Sequence, residues 1–160
     1  MARLPISAVR SGAVYLGTAL LAAMLAALPA AAIDRFAQSK TTGLVLKGYD
    51  TTAYHTAAKP MPGRATHVVA WKGAKWHFMS TKEAELFRQN PAAYAPQFGA
   101  YCTRAMSKGI VIAGKPKIWR MHNGKLYVFF APIGGSKFDE GPDAMIAKAQ
   151  ADWAKLTLEE

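Results

Sequence analysis

The chain has 160 residues, 51% of them hydrophobic, with 20 Lys and Arg against 10 Asp and Glu and a single cysteine. That length and apolar content suit one packed domain, and one cysteine excludes an internal disulfide framework. The formal charge of +10 is spread in ones and twos without a basic block. This argues against nucleic acid as a partner and leaves an anionic surface, an acidic protein, or simply a solvated face.

Residues 1–32 carry Arg3 and Arg10, no acid, and an apolar run over 13–28 that ends at Pro29, Ala30, Ala31 and Ala32. A basic start, an apolar stretch and small residues before a cut predict a cleavable signal peptide, with cleavage between Ala32 and Ile33. The alternative is an uncleaved anchor, since about 20 apolar residues cross a bilayer. Thr18, Pro29 and the absence of a basic stop-transfer cluster favour cleavage and no permanent membrane anchor. No cysteine lies near the cut and the two arginines are not adjacent, so neither a lipoprotein nor a twin-arginine route is expected. The protein is expected in the periplasm as a single domain, residues 33–160. Loss of Arg3 and Arg10 leaves it 18 Lys and Arg against 10 acids, a charge of about +8.

Residues 33–42 read as a polar lead-in. Residues 43–47 and 51–55 read as short extended segments around a turn at Gly48, Tyr49 and Asp50, and 59–63 as loop from its prolines and glycine. Thr66 to Met79 reads as a hairpin turning at 72–75, with Trp71 facing Trp76. That register puts His67, Val69, Trp71, Trp76 and Phe78 on one face and Val68, Ala70, His77 and Met79 on the other. Ser80 and Glu83 form a capping box that starts a helix at Thr81 and carries it to Asn90, after which Pro91 opens a turn through Tyr94. Gly99 and Gly109 bracket a helix over 100–108. Lys117 to Phe130 reads as a hairpin with a type I′ turn at Asn123 and Gly124. A last helix from Pro142 to Leu156 has the apolar stripe Met145, Ile146, Ala149, Trp153 and Leu156. No internal repeat is expected. The fold class expected is α+β, a small antiparallel sheet from two hairpins with short helices packed on it.

Lys47 to Asp50 with Ala53 and Tyr54, the run Trp76 to Ser80, Phe87 with Pro91 and Tyr94, and the run Tyr94 to Cys102 together resemble an exported YHS-domain protein. Asn123 to Tyr127 and Ala147 to Trp153 agree, so the likeness spans nearly all of 33–160. The resemblance implies a YHS-like fold and, in the wider group, a small metal-binding module built on cysteines. Ala53, Met79 and Glu83 stand where such cysteines would lie, so a tetrahedral cysteine zinc site cannot be assembled. What remains is Cys102, in an element where Ala100 replaces a glycine. Exported members are described as possible selenoproteins, which implies thiol or selenol chemistry.

Cys102 and Met106, four residues apart on one helix face, form a soft sulfur pair of the kind that suits copper as Cu(I). The competing reading is ordinary core packing. His77 and Met79 share a strand face about 7 Å apart, near enough to reach one ion, and His55 is a further ligand candidate. Asp50 reads as a turn former bonded to nearby amides, Glu83 as a capping residue, and His67 and His122 as surface or strand-pairing residues. The function expected is a non-catalytic binding module for a soft metal such as copper, at Cys102, Met106, His77, Met79 and His55. The alternatives are thiol redox chemistry at Cys102, helped by Arg104 or a helix start at Ala100, and an interaction module with a basic face.

Overall fold

The local chemistry of residues 46–54 sets the pattern for the whole molecule. In the computed structural model, which describes residues 32–156, 158 and 159, Leu46, Lys47 and Gly48 take left-handed conformations with φ of 50°, 56° and 76°. The chain then pairs as β2 (Tyr49–Asp50) and turns into α1 (Ala53–Thr56). Residues 51–55 were expected to be extended. The Asp50 carboxylate instead accepts the Thr52 and Ala53 amides and starts a helical turn there. Of the signal peptide read at 1–32, all but Ala32 lies outside the described residues.

The remaining elements follow in order. β1 (Ile33–Asp34) precedes this unit and pairs in parallel with β8 (Leu158–Glu159) at the far end of the chain. β3 (Met61–Pro62) pairs with β2. β4 (Arg64–Trp71) and β5 (Ala74–Phe78) form the first hairpin, and α2 (Thr81–Gln89) and α3 (Pro91–Tyr94) follow it. α4 (Thr103–Met106), β6 (Lys115–His122), β7 (Lys125–Phe129), α5 (Pro132–Glu140) and α6 (Pro142–Trp153) complete the chain. The fold is α+β, and its hairpins form separate two-stranded ladders rather than one sheet.

The two halves repeat one another, which overturns the expectation of no internal repeat. Phe98, Gly99 and Ala100 form a second left-handed turn with φ of 52°, 58° and 66°. The Gly63 amide donates to the Gly48 carbonyl at 2.9 Å, and the Gly114 amide to the Ala100 carbonyl at 2.9 Å. Each hairpin has the same bulge: Arg64 opposes Phe78 while Val68 opposes His77, and Lys115 opposes Phe129 while Trp119 opposes Val128. Each then runs into a nine-residue helix, α2 or α5. One extended residue, Asn90 or Gly141, separates that helix from one opening on Pro91 or Pro142. Even the buried Thr51 and Thr103 correspond, both with a hydroxyl lacking a hydrogen-bond partner among the described residues.

Three expectations change in detail. The first hairpin turns on two residues, Lys72 and Gly73, both at positive φ, so Trp71 opposes Ala74 and Trp76 opposes Val69. The slip from the expected register is two residues, which preserves the faces: Val69, Ala74, Trp76 and Phe78 are buried while Val68 and Ala70 are exposed. The helix expected over 100–108 shortens to α4, because 98–100 are left-handed and Tyr101 bridges to Ala113. Helix α5 was not expected. Its Gly134 and Gly135 are poor helix formers, yet a Cβ on Gly134 would meet the Phe129 side chain at 3.0 Å, so close packing on β7 explains that glycine.

Two apolar clusters hold the fold. Phe36, Val45, Tyr54, Trp76, Phe78 and Phe87 centre the first. Phe98, Met106, Tyr127, Phe129 and Phe138 centre the second, and the expected α6 stripe of Met145, Ile146, Ala149, Trp153 and Leu156 packs there. Each large side chain so buried contributes about 1.5–3 kcal/mol.

Candidate functional site

The repeat places two different side chains at one structural position. In the first half it is Asp50, wholly buried. Its Oδ1 accepts from the Thr52 amide at 2.9 Å and the Thr52 hydroxyl at 2.7 Å. Its Oδ2 accepts from the Met79 amide at 2.9 Å, tying α1 to the end of β5. Asp50 is therefore the turn former expected, with a long-range role added. Nearby, the Ser80 hydroxyl accepts from the Lys82 amide and donates to the Glu83 carboxylate, which holds Glu83 below the usual carboxylate range. Ser80 is thus the cap, and Glu83 bonds its hydroxyl instead of returning to the Ser80 amide as a capping box would.

In the second half the position belongs to Cys102. Its amide donates to the Ile112 carbonyl at 2.8 Å and its carbonyl accepts from the Met106 amide at 2.9 Å. The residue is only 4% exposed, but it is among the residues lining a groove of about 280 Å³. Ile110, Ile112, Phe130 and Ile133 line that groove together with Arg104 and Lys108. Ile110 is 54% exposed, Ile133 51% and Phe130 43%. The Lys115 ammonium lies 4.5 Å from the Phe130 ring centre, a cation–π contact that brings a third cation to the groove. Lys115 also lines a second groove of about 280 Å³ with Lys47 and Lys117.

The five soft-metal candidates divide between regions. Cys102 and Met106 share the second apolar cluster, Cys102 preceding α4 and Met106 ending it, and α4 packs on α5, α6 and β7. His77 and Met79 lie at the end of β5, which packs on β2, β4, α2 and the Leu46 turn. The His77 ring faces Gly48, where a Cβ would be 3.2 Å from its Nδ1. Burial, and then the Lys75 charge, lower its pKa below 6.5. His55 packs edge-on against Tyr94, ring centres 5.2 Å apart, with Nε2 buried and lacking a partner among the described residues. Burial alone lowers its pKa, so it stays neutral more readily than a free imidazole. His122 bonds Asp143 at 2.8 Å. No three of His, Cys, Asp and Glu gather as a metal-holding group among the described residues.

Sequence reasoning passed over Ile110, Phe130 and Ile133. The available signal was Ile110, Val111 and Ile112 between Gly109 and Gly114, an apolar run too short and too hemmed by glycine to be a buried strand. No described helix is long and apolar enough to cross a membrane. Comparison with family models, curated proteins and solved structures returns no match.

Proposed function

We propose that the protein is a non-catalytic binding module, resembling the exported YHS-domain proteins, that acts in the periplasm through the groove over Cys102. One observation carries this reading. Five large apolar side chains are exposed among the described residues, and Ile110, Phe130 and Ile133 line this one groove while Val111 adjoins it. Exposed apolar surface gathered in a concavity costs solubility unless something covers it. Titration with the fluorescent dye anilinonaphthalene sulfonate tests the reading. The native protein should enhance its emission saturably, and Ala105→Phe, which fills the groove, should abolish the effect. A native protein that leaves the dye dark, or an unaltered response in Ala105→Phe, refutes it.

A soft metal such as copper is the second reading, favoured by Cys102 and Met106 lying together in one cluster. Thiolate and thioether sulfur are the donors Cu(I) selects, and His55, His77 and Met79 are the further donors to examine. The measurement is Cu(I) titration against a competing chelator. Retained metal that is lost in both Cys102→Ser and Met106→Leu supports it, and equal retention by wild type and both variants overturns it. Export itself is tested by the mass of the protein recovered from the periplasm, which should begin at Ile33.

A further inference from the structure

The internal repeat shows which features of the Cys102 groove folding does not require. Ile133 occupies the position of Lys82 in the first half and Phe130 that of Met79, as the matched hairpins and helices place them. The first half builds the same backbone with an exposed lysine, Lys82, in place of Ile133. Exposed isoleucine there is consequently a property of the surface rather than a demand of the fold.

Charge surrounds this apolar surface. Arg104 and Lys108 line the groove, Lys115 lies over Phe130, and Lys115 continues into the second groove with Lys47 and Lys117. Among the described residues no acid lines either groove. The ion pairs among the described residues engage Lys40, Arg88, Arg120, His122, Lys137 and Lys155, leaving these five cations without an acidic partner there. The result is an apolar groove whose Ile110, Phe130 and Ile133 are exposed, with cations lining it and linked through Lys115 to a second basic groove rather than focused on one point.

From this we infer that the face docks reversibly on an anionic lipid bilayer. Ile110, Val111, Phe130 and Ile133 enter the acyl boundary, and the five cations sit at headgroup level. A small anionic ligand would need its cations converging on one pocket, whereas these extend along a surface. The inference rests on the groove being the working element.

Vesicle co-sedimentation tests it, using the full chain and variants of it so that any contribution from residues 1–32 is common to all. Vesicles of phosphatidylcholine alone are compared with vesicles that also contain phosphatidylglycerol. The bound fraction should rise with phosphatidylglycerol and fall with salt. Lys108→Gln should weaken partitioning about fivefold, and Ile133→Ser roughly as much. Val68→Ser, an exposed apolar residue elsewhere, should change nothing. Equal binding to both vesicle types overturns the inference, as does Ile110→Ser/Ile133→Ser binding like wild type. Capture on polyglutamate without a gain from phosphatidylglycerol also overturns it and assigns the face to an acidic protein. If wild type still binds the dye in the Ala105→Phe-sensitive way while vesicle binding fails, the lipid inference falls and the groove reading stands. Failure of both removes both.

Discussion

Replacing Asp50 with alanine removes a carboxylate that serves two distant pieces of backbone at once. Its Oδ1 accepts from the Thr52 amide and hydroxyl at 2.9 and 2.7 Å, and its Oδ2 from the Met79 amide at 2.9 Å. The residue is 0% exposed, so water does not replace these bonds. A hydrogen bond to a charged group is worth about 1.5–3 kcal/mol, and each stranded donor adds a desolvation cost. The bonds share one group and are not additive, so the expected loss for Asp50→Ala is about 3–5 kcal/mol, a large part of the ~5–15 kcal/mol of a typical domain. Asp50→Asn retains Oδ1 but turns an amino group toward the Met79 amide, and should lose about 2 kcal/mol. Cys102→Asp supplies the second half with the first half's side chain and should cost less than Asp50→Cys. Urea unfolding at matched m-values measures all four. An Asp50→Ala loss under about 1 kcal/mol, or Cys102→Asp proving worse than Asp50→Cys, would refute the reasoning.

Other consequences are open to simpler measurement. Gly99 has φ +58° and a Cβ there would collide with the Arg35 carbonyl oxygen, so Gly99→Ala should lose at least about 3 kcal/mol or fail to accumulate as folded protein. A bulky thiol reagent should modify Cys102 slowly in the native state and rapidly in urea, because the residue is buried. Fast native labelling would favour the redox alternative. Burial lowers the folded-state pKa of His55 and His77 below 6.5, so the unfolded chain takes up protons first as pH falls. Their contribution is therefore complete above pH 6.5 and declines below it. Unfolding midpoints on either side of that value, for wild type and for His55→Gln, measure the effect. A midpoint that rises on acidification would contradict it.

The hairpins, α2 and the stripe of α6 were legible because each rests on local rules: alternation, a Ser80 cap, an Asn123–Gly124 turn, apolar spacing. The duplication was not. Its halves share Tyr49 with Tyr101, Thr51 with Thr103, Gly63 with Gly114, Phe78 with Phe129 and Pro91 with Pro142, a thin set separated by positions that differ in polarity. Backbone geometry carries the likeness: two left-handed turns, two bulges and two glycine-to-carbonyl bonds. Propensity does not foresee Leu46 and Phe98 at positive φ, because tertiary packing must impose it. The groove escaped notice for a related reason. Its walls come from α4, the loop after it and the start of α5, and α5 was hidden by its adjacent glycines.

The clusters that close the two halves are not confined to them. Ala100, Leu126 and Val128, all from the second half, complete the apolar cluster of the first, while Ala37 and Ile33 pack into the second. A chain cut near Pro96 would thus yield two fragments each missing part of its interior, and neither should hold its shape alone. Mixed together they should recombine, and the intact chain should melt in a single step. The symmetry describes two like halves that depend on each other to fold.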